Sequence, residues 1–180
     1  SKTPSPGSPL SWAKRQTRQP RRPLGLPVSG CLSYGAKIFE RTSWASCMEH
    51  TALIYTMVLM SAADSDMTDS ELFTIGELVR TLPAFDGFNP EQLPKTAEDC
   101  ADILGQEGGM ETVISLVKDS LPDRLRETAY ALACDIAAAD GSVGQEEARL
   151  LELLRYGLNI ERLVAASIER GARARYQTVD

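Results

Sequence analysis

The chain has 180 residues, of which 43% are apolar, with 19 basic and 25 acidic side chains, one histidine and a net charge of −6. That is enough chain for one buried core, while no apolar run approaches the ~20 residues of a membrane span. Four cysteines (Cys31, Cys47, Cys100, Cys134) lie far apart with no C-x-x-C spacing. This excludes a zinc ribbon, argues against a disulfide scaffold and makes a reduced, cytoplasmic setting the expected one.

The charge is unevenly divided: residues 1–47 carry +7 and residues 48–180 carry −13. The first segment has six prolines by residue 27 and no helical or strand periodicity, so it reads as a disordered basic tail, processed or foreign to the working protein. Three functional readings stand beside that one. "VSGC" ending at Cys31 resembles a lipobox and would give a lipid anchor, although "PLGLPV" falls short of the ~7–15 residues of a signal core. The Arg- and Ser-rich, nearly acid-free composition suits a transit peptide. A basic arm also suits nucleic acid. The folded domain is expected over 48–180, and its acidity makes it a poor nucleic-acid binder.

Helical spacing then organises the chain. Leu53, Met57, Met60 and Asp64 share one face and predict a helix over 49–63. Thr68 with Glu71 forms a capping-box signature, and a second helix follows over 69–82, stopped by Pro83. "PAFDGFNPEQLP" reads as a loop. Further helices are predicted over 95–105, closed by Gly105; over 110–119, after the connector "GQEGG"; over 122–139, with Ser120 and Asp123 as its cap; over 145–157; and over 160–174, capped by Asn159. No window alternates with period two, so the fold class is all-α, a compact bundle of about seven helices.

Two stretches repeat. A shift of 76 residues carries Asp64 onto Asp140, Glu71 onto Glu147, Ile75 onto Leu151 and Leu78 onto Leu154. Each copy is a helix, a short acidic turn and a second helix. One such hairpin cannot bury its apolar faces alone and two packed together can, which predicts a pseudo-two-fold bundle.

All four acids continue apolar stripes: Asp64 that of Leu53, Met57 and Met60; Asp140 that of Ala129, Leu132 and Ile136. Glu71 opens the stripe Ile75, Leu78, Leu82, and Glu147 opens Leu151, Leu154, Leu158. A carboxylate drawn from water costs several kcal/mol unless something compensates. Backbone amides at the turn and helix start are one compensation. That account is weaker at Glu147, where Gly144 stands in place of Thr68. A divalent cation is the other: carboxylates without His or Cys suit Ca²⁺, Mg²⁺ or Mn²⁺. The spacing is not that of an EF-hand, because the twelfth position from Asp64 is Ile75.

In these residues the chain resembles the TerB tellurite-resistance family of bacterial helical proteins. "ACDIAAADGSVGQEEARLLELL" carries the family's Asp-Gly turn followed by Glu, and "VLMSAADSDMTDSELFTIGEL" is a looser copy with Ser65 in place of Gly. A related domain occurs at the N-terminus of membrane-bound DnaJ-type co-chaperones. The resemblance covers about 50–176. It implies two similar helical halves, an acidic cluster proposed to bind metal (Asp64, Glu71, Asp140, Glu147) and a part in stress responses, with no settled enzymatic activity.

Nothing in the chain forms a nucleophile–base pair, and no phosphate-binding loop occurs. The lone His50 is expected at the surface or a helix end. The leading expectation is a non-enzymatic stress-related protein with a cation site. The alternative is a protein-interaction module whose acids are only caps and whose Phe85 and Phe88 form the docking surface. A metal-dependent hydrolase built on the four acids is the third class. Partner and oligomeric state are not encoded in any motif.

Overall fold

The computed structural model describes residues 41–63, 69–139, 143–177 and 179, with side chains described from residue 46 and, after the first acidic turn, from residue 73. Among the described residues there are seven α-helices and no strand: α1 Arg41–Ser61, α2 Asp69–Thr81, α3 Leu93–Leu104, α4 Gly109–Ser120, α5 Asp123–Ala137, α6 Gln145–Gly157 and α7 Arg162–Arg175. The packed all-α fold is the one that the periodicity predicts. Helix α1 starts eight residues before the expected Glu49, and two 3₁₀ turns, Pro83–Phe85 and Pro90–Gln92, occupy the expected loop.

Helix α1 packs against α3, α4 and α5, and α5 in turn carries α6 and α7. All ten residues from Ala52 to Ser61 are buried. The stripe Leu53, Met57, Met60 is therefore part of a helix covered all round, as expected only for a central element. Within that run Thr56 Oγ1 donates to the Ala52 carbonyl at 3.0 Å. Helix α5 is the second central element, with Leu132–Ala138 continuously buried.

The repeat is visible in the backbone. The 76-residue shift carries α2 onto α6 end for end and makes α1 and α5 stop at matching residues. The exit turns match bond for bond. Ala62 N–H donates to Val58 O at 3.0 Å and Ala63 N–H to Met60 O at 3.1 Å; their counterparts are Ala138 to Cys134 at 3.1 Å and Ala139 to Ile136 at 3.0 Å. Burial is less symmetric. Leu151, Leu154 and Leu158 are all buried, whereas in the first copy Ile75 is buried and Leu78 and Leu82 are half-buried.

Helix boundaries follow local chemistry, with two departures from expectation. Asn159 does not cap α7. It takes φ 57° just past α6, and Ile160 N–H reaches Arg155 O at 2.9 Å while Asn159 N–H reaches Tyr156 O at 3.1 Å. These two bonds are a Schellman closure, and asparagine is among the few non-glycine residues that tolerate the left-handed conformation it needs. Glu161 caps α7 instead, accepting from Val164 N–H at 3.3 Å. Ser120 belongs to the end of α4, and Pro122 holds the N-cap position of α5. Of the described cysteines, Cys100 and Cys134 are free and buried.

Two buried tyrosines give a paired test. The Tyr55 hydroxyl in α1 has no hydrogen-bond partner among the described residues, whereas Tyr130 of α5 donates to Glu169 Oε1 at 2.6 Å. An unsatisfied buried hydroxyl is a penalty and a satisfied one is not. Tyr55→Phe is therefore expected to be neutral or to stabilise by up to about 1 kcal/mol, and Tyr130→Phe to destabilise by about 1 kcal/mol. Urea melts of the two variants check the order; the reverse order contradicts this reading of the two hydroxyls.

Candidate functional site

The two hairpins deliver their acidic turns from matched exits: Ala63 is the last described residue before the first turn and Ala139 before the second. Asp64 and Asp140 lie outside the described residues, as does the side chain of Glu71, which stands in the first turn of α2. The Thr68–Glu71 capping box also lies outside them. Glu147 is the one of the four whose side chain is described.

Glu147 is the third residue of α6 and is only 7% exposed. Its Oε2 accepts from Gly144 N–H at 2.7 Å. Gly144 has no hydroxyl to return the bond, so only the glutamate half of a capping box forms. That half suffices to hold the carboxylate at the N-terminus of α6, where exposed N–H groups and the helix dipole favour negative charge. Glu147 thus caps its helix despite the missing threonine. An ionised carboxylate has about four acceptor positions, so one amide does not exhaust it. In donor chemistry the four carboxylates fit a hard divalent ion, which takes oxygen ligands. Among the described residues, no three of His, Cys, Asp and Glu gather closely enough to hold a metal; that comparison does not reach Asp64 or Asp140.

The other ionisable groups of the core serve packing. Asp135, in the buried stretch of α5, pairs with Arg175 Nη2 of α7. Its carboxylate lies near Cys134 and Tyr176, whose acidities burial weakens. Burial pushes both free thiols, Cys100 and Cys134, up to about 12, which keeps them protonated and poor nucleophiles. The Asp135–Arg175 and Tyr130–Glu169 pairs join residues 40 and 39 positions apart, beyond any local periodicity. An aspartate inside an Ala-rich helix is the only signal that sequence reading could have used.

His50 corrects another expectation. It is buried in α1, 7% exposed, with ring centroids 6.0 Å from Phe85 and 5.6 Å from Phe88. Phe85 is itself buried and Phe88 half-buried, so these two rings pack on the bundle. A groove of about 490 Å³ opens beside α7, lined chiefly by Ala131, Leu163, Val164, Ile168 and Gly171. Among the described residues of its lining, Arg175 is the ionisable one.

The fold and both exit turns can now be set against known proteins. A family model described as tellurite resistance protein TerB matches residues 50–169, two thirds of the chain. The chain belongs to the TerB family. A tellurite-resistance-like role at family level comes with that membership. The TerB match runs from His50 in α1 to Glu169 in α7, so it spans both hairpins and all four acidic positions. Comparison with curated proteins gives no match, and comparison with solved structures gives none. No helix among the described residues is long and apolar enough to cross a membrane.

Proposed function

We propose that this TerB-family protein is a non-enzymatic stress-response protein whose two acidic turns together hold a divalent cation through Asp64, Glu71, Asp140 and Glu147. The observation that carries the reading is Glu147, a buried carboxylate placed at the mouth of a hairpin in line with Leu151, Leu154 and Leu158. The matched exit turns support extending it to the other copy. Glu49, in the middle of α1, pairs with Arg124 at the start of α5 at 3.0 Å; the two residues lie 12 and 13 positions before the ends of their helices, which favours turns at one common end. The cation would supply charge neutralisation and cross-link the two hairpins. The buried thiols, the enclosed His50 and the acid-free groove beside α7 all support a role without turnover. The charge of −13 over 48–180 favours a protein partner over nucleic acid.

Thermal melts of the full chain test the site. Added Ca²⁺, Mg²⁺ or Mn²⁺ is expected to stabilise it by roughly 2.7 kcal/mol at a hundred times Kd, and Asp140→Asn with Glu147→Gln is expected to abolish that gain. Melting that ignores all three ions at millimolar concentration, about 1 mM and above in affinity terms, rejects the site. The Gly144 N–H bond to Glu147 favours a second reading, in which the acids are caps alone and the protein works through a partner. On that reading the double variant loses stability equally with ion and with chelator.

A further inference from the structure

The connector between α2 and α3 touches both of those helices and meets α1 through a few side chains. Of residues 83–92, only Phe85 is buried and only Ala84, Phe88 and Gln92 are half-buried. Its backbone is organised locally: Phe85 N–H to Leu82 O at 3.0 Å, Asp86 N–H to Pro83 O at 3.2 Å and Phe88 N–H to Phe85 O at 2.9 Å. Its two phenylalanines, 6.2 Å apart, close on His50, the only histidine in the chain. Three rings thus form the seam between α1 and the connector.

We propose that this seam is an acid-sensitive latch, in which uptake of a proton by His50 releases the connector Pro83–Gln92 from α1.

The groups that face the ring pull in both directions. Burial among Phe85, Phe88 and the α1 backbone disfavours the imidazolium. Glu49 on α1, the Ala84 backbone and Asp86 in the connector favour it, and Glu49 is shared with Arg124 of α5. Burial is the largest of these and holds the imidazole below its ordinary value of 6.5. An opened connector exposes the ring to water and restores that ordinary value. The open form therefore binds the proton more tightly. Closure has its full stability above about pH 6.5 and loses it as the pH falls through 6.5 towards the lowered value.

Hydrogen exchange on the full chain, corrected for intrinsic rates and run at about pH 7.5 and about pH 5 on either side of the histidine range, reads the latch directly. The amides of Phe85, Asp86 and Phe88 are expected to lose more than about threefold in protection at the lower pH, the equivalent of half a pKa unit, while those of α5 hold. In His50→Gln the connector amides are expected to show no such difference. Equal protection at both pH values, or the same acid sensitivity in His50→Gln, overturns the proposal. Should that variant not fold, the wild type decides alone, since a lone histidine gives one unambiguous NMR titration. Connector resonances moving with the His50 midpoint, below 6.5, support the latch; a midpoint at or above 6.5, or connector resonances that ignore it, overturns it.

Discussion

Gly109→Ala is expected to destabilise the protein by about 3 kcal/mol, near the upper end for overpacking, and to lower its melting temperature by about 6–12 °C at this chain length. A Cβ at residue 109 would run into the carbonyl oxygen of Ile103 and come within 2.8 Å of Leu104 Cα. Both belong to the last turn of α3, which is backbone and cannot rotate aside as a side chain can. The neighbouring Gly108 makes the turn, with φ +71°, and Gly109 lets α4 start against the end of α3. Gly76 is the internal control. It lies inside α2 with nothing within 4 Å of its Cβ position, so Gly76→Ala is expected to stabilise by about 0.5–1 kcal/mol through helix propensity. Calorimetry of the two variants should move in opposite directions; a neutral Gly109→Ala means that α3 and α4 do not meet as closely as described.

Leu154→Ala is expected to cost about 3–4 kcal/mol, and Leu78→Ala about half as much. The two leucines occupy matching places 76 residues apart, but Leu154 is fully buried while Leu78 is half-buried. The loss combines transfer energy with the cavity left behind, and both grow with enclosure. Urea unfolding with an unchanged m-value isolates the stability change. Equal losses at the two sites imply that the hairpins are buried alike.

The contrast between these leucines shows which features local pattern can encode. Helix existence and bounds were legible because 3.6-residue spacing, Pro83, Gly105 and the acidic turns are local signals, and α2 and α6 fall almost where spacing puts them. Depth was not. A helix buried on one face and a helix buried on all faces both carry Leu53, Met57 and Met60 on a stripe, so the central place of α1 emerges only from what later folds around it. Asn159 was seen as a helix signal but assigned to the wrong end, because asparagine serves N-caps and left-handed C-terminal closures equally well. Gly109 was read as connector because tight approach of two helices leaves no periodic trace. At the acidic turns, spacing was enough to select Glu147 as a core-facing acid. It could not reveal that the Gly144 amide would answer it, since a capping box looks incomplete without its hydroxyl. His50 was misjudged for a related reason: its partners arrive from a connector some 35 residues later, and proline-rich composition says nothing of where two phenylalanines will fold back.

The all-round burial of α1 has a consequence for biosynthesis. This helix leaves the ribosome before every element that covers it, and its closest neighbour α5 ends 76 residues later. At about 5–20 residues per second, translation leaves α1 without α5 for about 4–15 s, far longer than the roughly microsecond formation of a helix. Throughout that interval the nascent chain offers a run from Ala52 to Met60 with no charged side chain, a ready target for hydrophobic-binding chaperones and a point of vulnerability to aggregation if synthesis stalls before α5.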